Sequence, residues 1–342
     1  MVSRQLWVLL ALMGAAFAAG GCSIQAMTGD TMSAFTVEQV VPQTMASDDV
    51  AMACAGGLGQ AQLMEAFGRV TDPEPRASIV TFSSAGMCAE LEGWEAELRR
   101  LRALKEGRVA EAQDALTQEK LAHYDAAKRN LFAFNSLVRA YGEVGEGCPK
   151  LDSKENDELF YMLGLSSGML AVVHDRGAGG EAGVPMSVPQ GVLRATECLD
   201  AERWWGMPLA LRAAIWTSIP GVLPAGKDPW VEMAKAADYA DKSGVSLAYA
   251  LWIQTAASNG MTPQMCQAVD RYTESLVANP NRNPNYRLLD AYAAMIIRHE
   301  VNKQWIQSVG YRAPAGALAC YSADSVEPGD EPDLDLLDGL ND

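Results

Sequence analysis

From Asp48 onward, apolar residues recur along this chain at the three- and four-residue spacing of helices. The stretch DDVAMACAGGLGQAQLMEAFGRV opens on an Asp pair suited to capping and repeats apolar residues at Met52, Leu58, Leu63 and Phe67. Gly56, Gly57 and Gly59 weaken it, and Pro73 and Pro75 close it. A second helix is expected over RASIVTFSSAGMCAELEGWEAELRRLRALKEG, with a charged outer face. Its start, Ile79 to Phe82, has the composition of a strand, but no second strand candidate exists to pair with it. A long third helix is expected from Arg108 to Tyr141, where Leu116, Leu121, Tyr124, Leu131, Phe134 and Val138 keep the period, and a fourth from Glu155 to Val173. HDRGAGGEAGVPMSVPQG then reads as a flexible loop, followed by short helices over Leu193–Leu199 and Trp204–Ser218.

The C-terminal third is more regular. DPWVEMAKAADYADKSG starts on a capping Asp followed by a first-turn proline and ends at Gly244. VSLAYALWIQTAASNG, TPQMCQAVDRYTESLVANP and YRLLDAYAAMIIRHEVNKQWIQSVG complete four helices with short connections. Two consecutive pairs span about 35 residues each, close to the tetratricopeptide period. The predicted fold is therefore all-α: an array of antiparallel helix pairs over residues 48–321, a degenerate tetratricopeptide-like α-solenoid with a concave surface.

The two ends differ from this body. Behind the lone charge of Arg4, an apolar run from Leu6 to Ala19 is too short and too glycine-ended for a spanning helix, and it fits an export signal. It ends in AAFAAGGCS, which resembles the lipobox of bacterial lipoproteins, with Ala19 where Leu is more usual. The resemblance implies cleavage after residue 21 and a lipid on Cys22; the alternative is a plain secretory signal that leaves Cys22 as a thiol. Ser23, in place of the Asp that commonly retains such proteins in the inner membrane, implies the outer membrane. Residues 22–47 lack a clear period and read as a flexible tether. Residues 322–342 hold eight Asp and Glu between Asp324 and Asp342 with no Lys or Arg, which predicts a disordered tail. Within it, DLDLLDGL alternates acidic residues with leucines, a pattern of short docking motifs.

Charge and cysteines narrow the function. The net charge of −16 excludes nucleic acid as a partner and a polybasic hold on anionic lipid, so the membrane would be reached through the N-terminal lipid alone. Apart from Cys22 there are six cysteines, an even number that suits three disulfides in an exported chain, although six allow fifteen connectivities. Pairing by sequence neighbours, Cys54 with Cys88, Cys148 with Cys198 and Cys266 with Cys320, is the expectation. No CxxC pair and no nearby His suggests zinc, and no cofactor motif is present.

No catalytic constellation stands out among three histidines. His174 reads as a helix-end cation, and His123 and His299 read as residues of solvated faces. The unusual feature is ERWWGMPLALRAAIWTSIPG. Trp204, Trp205, Met207 and Trp230 are candidates for a ligand or partner site, with ordinary core packing as the alternative and Trp216 assigned to core.

The lipobox, the SDDV segment and the helical array resemble the T component of TRAP (tripartite ATP-independent periplasmic) transporters, the TatT family. LVANPNRNPNYRLLDAYAA is similar to that family's closing pattern and LAHYDAAKRNLFAFNSLVRAYG to its long helix, whereas the cysteines and HDRGAGGEAGVP depart from it. The resemblance implies a non-enzymatic periplasmic lipoprotein that associates with a substrate-binding protein and holds an apolar small ligand. The rivals are an envelope assembly lipoprotein that binds another protein and no small ligand, and an enzyme of unfamiliar type. An apolar channel would favour the first reading, a filled core with exposed apolar surface the second, and buried titratable groups in a cleft the third.

Overall fold

The computed structural model describes residues 24–152 and 156–322; Cys22, the signal segment and the acidic tail beyond Ser322 lie outside the described residues. The described residues form an all-helical body with no strand. In chain order its helices are α1 (24–35), continued through a π turn at Thr36–Val40, then α2 (Val41–Met45), α3 (Val50–Phe67), α4 (Pro75–Lys105) and α5 (Val109–Tyr141). After these come α6 (Asp157–Gly177), α7 (Val188–Ala195), α8 (Met207–Ser218), α9 (Pro229–Ser243), α10 (Leu247–Ser258), α11 (Thr262–Ala278) and α12 (Arg287–Val309). The stretch expected to be a tether is thus helical through Met45, and Ser33, Thr36, Val37 and Val41 on one side of it are buried against the body.

Local signals explain most boundaries. Asp49 caps α3 by accepting from the Met52 amide at 2.8 Å, and Asp228 caps α9 by accepting from the Trp230 amide at 2.8 Å. Pro75, expected to close the preceding helix, instead sits in the first turn of α4, where a missing N–H costs nothing. α8 starts at Met207 rather than Trp204 because Trp205 and Gly206 both hold left-handed backbone, with φ of 56° and 79°.

α4 and α5 are 31 and 33 residues long and form an antiparallel hairpin. Arg100 meets Glu119 near the turn, and Arg129 donates to the Ala85 carbonyl far from it. α3 and α6 flank this hairpin. Small residues set the approach: a Cβ on Gly57 would lie 2.7 Å from the Ala85 backbone, and one on Gly164 would lie 2.7 Å from the Leu137 side chain. α12 runs alongside α4 in the same direction, since Glu90–Tyr292, Glu97–His299 and Lys105–Gln307 are all 202 residues apart. In the C-terminal third, α10 packs against α8, α9, α11 and α12, and Arg271 and Asn279 tie α11 to α9 through the Ala234 and Asp241 carbonyls.

The six cysteines fall into the neighbour pairs Cys54–Cys88, Cys148–Cys198 and Cys266–Cys320, with Cα separations of 5.3, 5.3 and 5.6 Å. They join α3 to α4, the α5–α6 connection to the end of the α7 segment, and α11 to the C-terminal arm. Loops of 34, 50 and 54 residues are closed; in the chain-entropy picture each contributes about 4 kcal/mol.

The glycine-rich loop after α6 is fastened. The buried Asp175 carboxylate accepts from the Ala182 and Val184 amides at 2.8 and 3.0 Å and draws Ala182 and Val184 into the core.

Candidate functional site

The tryptophan-rich stretch does not open onto a groove. Trp204, Trp205 and Met207 are 4%, 3% and 6% exposed, Trp216 is buried with them, and Trp230 is half-buried against the same core. Trp204 packs edge-on against Trp205, whose ring meets Tyr286 at 4.4 Å, and the Trp204 Nε1–H donates to Glu158 at 2.6 Å. Gly206 belongs to this corner because a Cβ there would collide with the Ala236 carbonyl oxygen. Core packing accounts for these residues: no partner reaches the two indoles without opening the corner.

What the fold assembles instead is a polar seam between α4 and α12, backed by α5 and α6. All three histidines belong to it, which corrects the reading of His123 and His299 as solvated. His299 is buried and His123 is half-buried. His174 lies in the last turn of α6 but is buried too, and its partner is a carboxylate as well as a helix end. Glu90 accepts from His174 Nε2 at 2.6 Å and from the Tyr292 hydroxyl. His174 Nδ1 faces His123 Nδ1 at 2.8 Å. A carboxylate, two imidazoles and a phenol thus form one chain through the interior. Two turns further along α4, Glu97 meets His299 Nε2 at 2.8 Å and Lys303 Nζ at 3.3 Å, and Lys303 also reaches Glu300 at 3.1 Å. Trp94 lies between the two halves and stacks on both His299 and Tyr292.

The electrostatics follow from burial and pairing. Burial opposes charge on Glu90, yet His174, Tyr292 and His123 together hold its carboxyl below the ordinary value. Burial also opposes charge on Glu97, and the His299 hydrogen bond and the Lys303 ammonium overcome it, drawing its pKa down to about 2. Burial, then the neighbouring His174, pushes His123 down to about 4. The facing Nδ1 atoms impose a further limit: only one of them carries a proton, so the two rings cannot both be imidazolium. Gly177 keeps this contact possible, because a Cβ there would come within 2.6 Å of the His123 ring.

The Glu90–His174–His123 chain has the geometry to pass a proton. Neither a cavity of about 410 Å³ at the α4–α5 turn nor one of about 250 Å³ between α2, α3 and α4 is lined by any of these groups. The seam fastens α12 to α4 through hydrogen bonds and charge. Among the described residues, no group of three or more His, Cys, Asp or Glu side chains is placed to hold a metal ion. No helix among them is long and apolar enough to cross a membrane. Sequence reasoning missed the seam because its partners lie on four separate helices; the only local hint is that Glu90, Trp94 and Glu97 share one stripe of α4. Comparison with known protein families, curated proteins and solved structures gives no match to this chain.

Proposed function

We propose that this chain is a lipid-anchored scaffold of the bacterial envelope, held in the outer membrane through Cys22, facing the periplasm and working by docking another envelope protein. The observation that carries the reading is a filled core combined with apolar surface near the anchor. Ile24, Met27 and Phe35 are 61%, 63% and 50% exposed, and their spacing puts them on one stripe of α1, directly after the lipidation candidate. The closed tryptophan corner favours a scaffold that shelters no apolar ligand there. Three neighbouring cysteine pairs suit an oxidising compartment such as the periplasm.

The resemblance to the TRAP T component makes a periplasmic substrate-binding protein the specific partner proposed. Two variants test the proposal. Cys22→Ala should abolish acylation and release the protein from membranes; unchanged partition and unchanged N-terminal mass would contradict the anchor. Met27→Gln with Phe35→Gln should leave the melting temperature unchanged and weaken partner co-purification. Undiminished co-purification would move the docking face elsewhere.

A further inference from the structure

The cavity at the α4–α5 turn, about 410 Å³, is lined mostly by arginine: Arg99 and Arg102 from the end of α4, Arg108 from the turn and Arg312 from the C-terminal arm. Such a gathering runs against the average of a chain with a net charge of −16, whose overall field repels anions. Two of the four guanidinium groups are neutralised. Arg108 pairs with Glu106 and Glu111, and Arg312 pairs with Glu95. The other two are not. Arg99 donates to Gln118, an uncharged amide. Arg102 has no hydrogen bond or ion pair among the described residues, and its Nε is shielded from solvent with no acceptor in reach.

An ordinary reason for basic residues at this place is the end of α4, where cations complement the helix dipole. Lys105 illustrates that role at another helix, with its ammonium 3.1 Å from the Gln307 and Ser308 carbonyls that end α12. Arg102 makes no comparable bond. It stands one turn from Arg99, so the two forks sit on the same side of α4. Opposite them, α5 begins at Arg108 without any side-chain cap, and Glu111 in its first turn lines the cavity. Leu98 supplies an apolar wall.

We propose that this cleft binds a small organic dianion, a short dicarboxylate or a phosphate monoester. Two uncompensated guanidinium groups call for two negative charges. A planar fork of donors suits the oxygens of a carboxylate or phosphate, and the volume lies in the range of small-molecule sites. This binding is independent of the docking role of α1.

The test is a titration of the full-length protein with succinate, glycerol phosphate and inorganic phosphate at constant ionic strength, followed by calorimetry and thermal melting. The expected result is saturable binding and a raised melting temperature with succinate or glycerol phosphate, beyond what chloride gives. The two organic ions distinguish a carboxylate from a phosphate-ester ligand, and inorganic phosphate reports how much the carbon skeleton adds. Arg102→Gln should weaken binding about tenfold or more, the loss of one charge-assisted fork. Its melting temperature without ligand should match the wild type, since Arg102 makes no hydrogen bond or ion pair among the described residues. Arg298→Gln, on an exposed face of α12, should bind like the wild type. No saturable response to any of the dianions, or an Arg102→Gln protein that responds as the wild type does, would overturn the proposal.

Discussion

The tryptophan corner at the start of α8 and the polar seam between α4 and α12 are both buried, yet they are built from opposite materials. The corner joins Trp204, Trp205 and Tyr286 through ring contacts, with one indole hydrogen bond to Glu158. The seam joins Glu90, Glu97, His299 and Lys303 through hydrogen-bonded charge. The corner draws on apolar area, which is indifferent to pH. The seam exchanges hydration for pairing, so its worth depends on every partner being present and in the right protonation state. Burial alone therefore says little about how a region will respond to conditions.

The largest effects should come from deleting one member of each region. Glu90→Ala strands His174 and Tyr292 in the interior and should cost about 3–5 kcal/mol. Trp205→Ala should cost a similar 3–5 kcal/mol by opening a cavity. Denaturant melts of both variants check this, and a loss under about 1 kcal/mol for either would mean that its region is not a fastening.

Acid should then separate them. His123 is held at about 4 in the folded chain, below its ordinary value, so its contribution is complete above the unfolded value near pH 6.5 and is lost as pH falls toward 4. Glu97, held at about 2, contributes fully above pH 4.5, and that contribution is lost as pH falls toward 2. Both act in one direction, so the melting temperature should decline from pH 6.5 downward. His123→Gln should remove the upper part of that decline and keep the lower, whereas Trp205→Ala should preserve the whole profile. A wild-type melting temperature that stays flat from pH 7 to 4 would contradict the seam.

Gly177→Ala is a smaller probe. The added methyl presses on the His123 ring and should cost about 1–3 kcal/mol as overpacking. Trp204→Phe keeps the ring packing and removes the bond to Glu158, which Arg203 also contacts at 3.4 Å; it should cost about 1–2 kcal/mol. Thermal melts rank the two.

The helices were legible because their periods and caps are local. Asp49 and Asp228 announce α3 and α9 without any knowledge of the rest. The cysteine pairing was legible because each bridge joins sequence neighbours. The seam was not, because His299 sits between Arg298 and Glu300 and looks solvated until α12 is laid along α4, with partners 202 residues away. The tryptophans declared burial or binding equally well from their spacing; only the left-handed turn at Trp205 and Gly206 folds them inward. The glycine-rich loop looked mobile because the carboxylate that holds it, Asp175, lies in the preceding helix. Residues 24–45 hid their helix behind Met, Thr and Gly, whose weak period gains its meaning from packing on the body.

The central claim, the proposed anchored scaffold that acts by docking another envelope protein, is tested most directly by cross-linking and purifying the full-length protein from native membranes, with identification of what is attached. The result expected is one periplasmic substrate-binding protein or another envelope protein in near-stoichiometric amount, lost in the Met27→Gln, Phe35→Gln double variant. Recovery of the acylated wild-type protein alone, with no partner above the level of that variant, would contradict the claim.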